Sequence, residues 1–100
     1  MELHSIIESC EGFQWDAGNL LKSWLKHGVT QREAEEIFFN EPLLLYNDEK
    51  HSGHEDRFLA FGRTDAGRNL AAAFTVRKGW VRIVSARSMN KKEKAVYEKT

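Results

Sequence analysis

The chain has 100 residues, 41% hydrophobic and 30% charged, a balance that fits one small globular domain and excludes a disordered chain or two domains of ordinary size. Its 15 basic and 15 acidic side chains cancel in sum but not in place: residues 1–56 hold 4 Lys/Arg against 12 Asp/Glu, and residues 57–100 hold 11 against 3. Such a split fits a basic face that meets an acidic partner, and it also fits two halves that neutralise each other in the fold.

Residues 1–10 read as an extension whose one strong apolar pair is Ile6-Ile7. Gly12–Trp15 alternates weakly, as a short strand would. Asp16 is a good N-cap, and Leu20, Leu21, Trp24 and Leu25 then recur as a helical stripe. Gly28, a left-handed cap residue, predicts the helix end at His27. Thr30 opens a second helix with Glu33 at the capping-box position, Ala34, Ile37 and Phe38 form its buried face, and Asn40 to Pro42 close it.

The second half reads as strands. Leu43–Asn47 is a short apolar run, and 47–56 is a polar loop. Arg57–Arg63 sets Phe58 and Ala60 on one side and Leu59 and Phe61 on the other, so both faces are partly covered. After a turn at Thr64–Gly67, Asn69–Arg77 and Trp80–Ala86 form a hairpin around Lys78-Gly79, where glycine permits positive φ. Asn90 caps a last, highly charged helix, with Glu93 at its capping-box position. The expected fold is α+β: an antiparallel sheet of about four strands with two N-terminal helices, a C-terminal helix, and the helices gathered on one face. Residues 1–12 stand as an extension and 13–100 as the domain.

Cys10 is alone, which excludes an internal disulfide and a cysteine-based zinc site and fits a reducing, cytoplasmic setting. The longest nearly apolar stretches, Pro42–Tyr46 and Leu70–Val76, fall far short of the roughly 20 residues of a membrane span. Glu2 and Glu8, with no basic cluster, do not read as a signal peptide. His51 and His54 have an H-x-x-H spacing but no third ligand of clear position, so no metal is expected there. There is no glycine-rich phosphate loop, and no cofactor is expected. Trp15, Trp24 and Trp80 read as core, Trp80 being the one that a turn could leave exposed.

Three groups of residues resemble a known family. Phe13-Gln14-Trp15-Asp16 with Lys26-His27-Gly28-Val29-Thr30 resembles the opening of the BrnT family of toxins. Glu55-Asp56-Arg57-Phe58 with Gly62-Arg63-Thr64 resembles its middle. Arg82 to Arg87, followed by Glu93 and Tyr97, resembles its closing motif. The tags span residues 13–98, and their order and spacing are more specific than any one of them. Asn19 and Ser23 stand where the family commonly carries a basic residue and an Asn, and Lys94 stands where an Arg is usual. The resemblance implies a RelE-like fold and a ribonuclease toxin of a bacterial type II toxin–antitoxin pair, cutting RNA without a metal and inhibiting growth. It also implies a small DNA-binding antitoxin of the BrnA kind, ribbon-helix-helix in fold, through which alone promoter DNA is reached. The other reading is a non-catalytic protein-binding module on the same fold.

Metal-free RNA cleavage needs a base for the ribose 2′-hydroxyl, cations for the phosphate oxygens and an acid for the leaving oxygen. His27, at a helix C-terminus that favours a cation, suits a phosphate contact or proton transfer, and equally suits bonding the last free carbonyls. Arg57 and Arg63, six apart on one strand, share a face. Arg82 and Arg87, five apart, share one only if a bulge or strand end intervenes near Ser85-Ala86. The candidate catalytic residues are therefore His27, Arg63, Arg82 and Arg87. Lys26, Arg57 and Tyr97 are candidates for holding RNA, although a Tyr at that place also packs readily. Glu93 has a sufficient role as a cap.

Overall fold

In the computed structural model, which describes residues 2–51, 53 and 55–100, the elements run α1 (Leu3–Glu8), β1 (Gly12–Trp15), α2 (Ala17–His27), α3 (Gln31–Glu36), β2 (Leu44–Asn47), β3 (Phe58–Arg63), β4 (Asn69–Arg77), β5 (Trp80–Ser88) and α4 (Lys91–Glu98). Local chemistry sets the helix ends. Asp16 accepts from the Gly18 and Asn19 N–H groups, and Gly28 stops α2 at φ 62°. The Thr30–Glu33 and Asn90–Glu93 capping boxes both form, each satisfying two otherwise unbonded N–H groups.

The strands make one sheet in the order β1-β5-β4-β3-β2. β2 to β5 form the expected antiparallel meander, and β4 and β5 meet in a two-residue turn whose Lys78 and Gly79 both have positive φ. The expectation of about four antiparallel strands needs one correction: β1 joins β5 in parallel and makes the sheet five-stranded and mixed. Gly12 is what admits it. A Cβ there would lie 2.9 Å from the Trp80 ring, so that ring covers the start of β1 and is half-buried rather than exposed.

The sheet is apolar on both faces. Phe58, Ala60, Leu70, Ala72, Phe74, Val81, Ile83 and Ala86 point to the side where Val29, Ala34, Ile37 and Phe38 close the main core. Gly62 lets α3's end come down on β3, since a Cβ there would sit 2.9 Å from the Ile37 Cβ. Phe61 and Ala71 point the other way and are covered by Tyr97 of α4, with Leu44, Leu59 and Met89 around them. The helices are therefore not gathered on one face. A second apolar face on β3 and β4 had to be covered, and α4 covers part of it. Residues 1–12 pack on the main core, with Leu3, Ile7 and Cys10 against it and the Glu11 N–H bonded to the Gly79 carbonyl at 2.7 Å.

The stripe on α2 departs from expectation. Leu21, Trp24 and Leu25 are 56%, 54% and 72% exposed, and Ser23 is the one buried residue of that helix. β1 ends level with Ile83, and α2 runs on beside β5, where the Ser23 hydroxyl accepts the Ala86 N–H. The polar Ser23 thus faces the strand while the stripe turns outward. Trp24 is not a core residue.

Candidate functional site

The arginines come together through a fault in the sheet. Ala73 pairs with Ser85, the next pair is Phe74 with Ile83, and Val84 is left over as a bulge. Strict alternation would put Arg82 and Arg87 on opposite faces. With Val84 extra, Arg82 lies opposite Thr75 and Arg87 opposite Ala71, both on the face that carries Leu59, Phe61 and Arg63. Alternation from Phe58 assigns Arg57, one residue before β3, to this face as well.

The face has two ends. Arg82 lies in the row of Thr75, and Arg87 lies in the row of Phe61 and Ala71. Four residues of β4 separate the rows, roughly 13 Å at the strand rise. Between them lies a floor of half-buried Ala73 and exposed Ser85. Tyr46 borders it from β2, exposed and tilted on Phe61 with ring centroids 5.3 Å apart. Lys91, Lys92 and Lys94 are exposed on α4, above the Arg87 end.

Each arginine is held differently. Both nitrogens of the Arg87 fork reach Glu93, at 2.6 and 2.8 Å, and Nη1 also donates to the Ser88 carbonyl. That hydrogen bonding pulls the Glu93 carboxyl below its ordinary value and raises Arg87. Glu93 thus fastens α4 to β5 while it caps its own helix. Arg63 donates Nε–H to the Glu41 carbonyl at 3.1 Å, and its own carbonyl is held by Asn40 at 2.9 Å. Its charge also reaches Tyr97. At the other end Arg77 makes a two-pronged pair with Glu55, which holds that carboxyl down; the nearby charge of Arg82 adds to the effect.

The remaining candidates lie elsewhere. Tyr97 is buried, and its hydroxyl donates to the Pro42 carbonyl at 2.6 Å; burial raises its pKa. Its ring serves packing. Lys26 and His27 are exposed at the end of α2, alongside β5, and among the described residues nothing bonds the His27 ring. Through Arg68, which donates to the His27 carbonyl and to the Ser88 hydroxyl, the end of α2 is tied to the residue that follows Arg87. Arg68, which sequence reasoning passed over, organises that corner: it donates to the His27 and Gly28 carbonyls, the Ser88 hydroxyl and Glu33. Its partners lie 20 to 41 positions away in the chain, so no local signal marks it. Arg68–Glu33 and Arg77–Glu55 also show that part of the charge split is neutralised within the fold. His54 lies outside the described residues, as does the side chain of His51. Among the described residues no three His, Cys, Asp or Glu side chains converge as metal ligands, and no helix is long and apolar enough to cross a membrane.

A family model described as the ribonuclease toxin BrnT of type II toxin–antitoxin systems matches residues 15–93. The chain belongs to the BrnT family. The matched span takes in Lys26, His27, Arg57, Arg63, Arg82 and Arg87, and it stops short of Tyr97 and α1. The crystal structure of the Brucella abortus ribonuclease toxin BrnT is similar, with a TM-score of 0.60 at 17% identity over 80% of this chain and 97% of that one. At that identity the likeness speaks for the fold, and it agrees with an α+β BrnT domain. No curated protein matches the chain. BrnT membership makes this a ribonuclease toxin whose target is RNA and whose partner is an antitoxin.

Proposed function

We propose that this BrnT-family chain cuts RNA on the sheet face beside α4, without a metal, by attack of the ribose 2′-hydroxyl on the adjacent phosphate. The observation that carries the reading is the Val84 bulge, which sets Arg82 and Arg87 on the face of Arg63. A guanidinium fork fits two phosphate oxygens, and fixed donors aimed at developing charge are strong catalysts. Arg63 and Arg87, both anchored through backbone or carboxylate contacts, hold the phosphate as charge builds on it, with Arg82 assisting. Arg57 and Lys26 hold flanking RNA. The products are a 2′,3′-cyclic phosphate and a free 5′-hydroxyl. His27, whose carbonyl Arg68 ties to Ser88 beside Arg87, acts in proton transfer or as a third cation. The toxin acts in the cytoplasm, inhibits translation, and is silent while a ribbon-helix-helix antitoxin of the BrnA kind covers the arginine face and links it to promoter DNA.

The reading is tested by cleavage and binding of a short RNA. Arg63→Ala is expected to lose about 100- to 1,000-fold in rate. Arg63→Lys should recover part of that, since a point charge cannot copy the fork. Affinity should fall steeply with salt as phosphate contacts release counterions. Binding that is flat between low and physiological salt, with Arg63→Ala cutting at the normal rate, would defeat the proposal.

A further inference from the structure

The outward stripe of α2 calls for a cover. Leu21, Trp24 and Leu25 are each more than half exposed, and they are three of the six large hydrophobic side chains most exposed on the described surface. They recur at i, i+3 and i+4, so they form one helix face. Trp24, Leu21, Leu20 and Val29 line a shallow groove of about 410 Å³ in which no wall residue is charged. A solvated helix gains nothing from such a face, and exposed apolar patches of this kind mark interaction sites.

Charge selects the occupant. α2 reads Ala17 to His27 with Lys22 and Lys26 and no acidic residue. Those lysines are four apart and run beside the Leu21–Leu25 row, one position round the helix. A second copy docking its own α2 there would set lysine rows against each other in an isologous pair. A helix with apolar residues at i and i+4 and Asp or Glu along its flank meets both features at once.

We infer that α2 is the anchoring site for an acidic amphipathic helix of the antitoxin, with Trp24 as its central contact. The inference takes the existence of a protein antitoxin from the family and deepens the reading given above. α2 runs beside β5, the strand that carries Arg82 and Arg87. Ser23 is the residue that faces β5, and the stripe and its groove turn away toward Val29 and Thr30, so a segment seated on the stripe reaches the arginines only by passing round the β5 edge. Anchor and cover are then separate parts of one partner: apolar burial on α2 supplies most of the affinity, and acidic residues over the arginines supply the silencing.

The test titrates the full-length chain with its purified cognate antitoxin by calorimetry, alongside hydrogen exchange of residues 20–26. Trp24→Ala should weaken binding about 30-fold or more, as loss of a central aromatic contact does. Lys22→Glu should weaken it less, and more so at low salt. Trp24→Ala touches neither the arginine face nor Lys26, so its RNA cleavage should stay at the wild-type rate. In the wild-type chain, antitoxin should protect residues 20–26 from exchange, a result that stands even if a variant folds poorly. Unchanged affinity of a folded Trp24→Ala chain, or no added protection of α2, overturns the inference. So does a wild-type chain that is dimeric by itself and that Trp24→Ala makes monomeric, since the cover would then be a second copy. A chain that binds antitoxin through Trp24 yet cuts no RNA would leave this inference standing and defeat the cleavage proposal alone.

Discussion

Arg87→Ala tests the site and its scaffold at once. The mutation removes one partner of a two-pronged pair whose side chains are 39% exposed for Arg87 and 15% for Glu93. That places it between the surface case, worth about 0–1 kcal/mol, and the buried case, where losing one partner costs about 3–5 kcal/mol. Glu93 keeps its bond to the Asn90 N–H at 2.9 Å, so its carboxylate is not stranded, and the expected loss is about 1–2 kcal/mol. In a domain of this size that lowers Tm by roughly 4–16 °C. Glu93→Gln separates the two roles: it removes the charge, keeps a capping acceptor, and leaves the guanidinium in place. Because pairing depresses the Glu93 pKa, its contribution is present above the unfolded value of about 4.3 and is lost as pH falls through the lower folded value. Thermal melts of wild type and Glu93→Gln should therefore differ at pH 7 and converge in acid. In the cleavage assay Arg87→Ala should fall about 100- to 1,000-fold, while Glu93→Gln stays within about tenfold, the span of a single 1.4 kcal/mol change. An Arg87→Ala chain that is folded and cuts like the wild type would refute the assignment. Melts of wild type and Glu93→Gln that stay equally far apart at every pH would refute the linkage.

Two further outcomes bear on the scaffold. Gly62→Ala puts a methyl 2.9 Å from the Ile37 Cβ and from its carbonyl oxygen; the expected loss is about 1–3 kcal/mol in a denaturant melt, and an unchanged midpoint would show that α3 can give way. His4 bonds the Leu43 carbonyl and Glu2, and the first of these is the larger cause of its raised pKa. Its contribution is fully present below about pH 6.5 and is lost as pH rises through the raised value. Exchange at residues 3–8 should speed up over that range beyond its intrinsic pH dependence, and His4→Ala should abolish the excess.

What the sequence made legible was mostly local. Asp16, Thr30–Glu33, Gly28 and Asn90–Glu93 mark helix ends through groups within four positions of one another, so both ends of α2 and the starts of α3 and α4 could be set before the fold was known; α1, read as an extension, and the end of α3 at Glu36, short of the expected Asn40–Pro42, could not. β2 to β5 were legible because alternation and the Lys78-Gly79 turn are local too. The family tags, weak singly, pointed to BrnT, and the family match bears that out. Non-local choices were less legible. A four-residue strand such as β1 does not announce that it will pair in parallel with the last strand. The α2 stripe marks an apolar face but does not say that Ser23, rather than Trp24, will turn to β5. The five-residue spacing of Arg82 and Arg87 could state only the condition for a shared face, and the Val84 bulge meets that condition on a partner strand the spacing does not see. Arg68 and Asn40, which fix the corners of the site, act across 20 to 41 positions and left no trace in the pattern.

The most direct measurement of the central claim is cleavage of an RNA that carries a single 2′-deoxy nucleotide at the cutting position, run with and without EDTA. The account predicts that the deoxy substitution stops cleavage at that bond, that EDTA changes nothing, and that the all-ribose control, cut by the wild-type chain, yields a 2′,3′-cyclic phosphate. Cleavage that survives loss of the 2′-hydroxyl, or that EDTA abolishes, would contradict it.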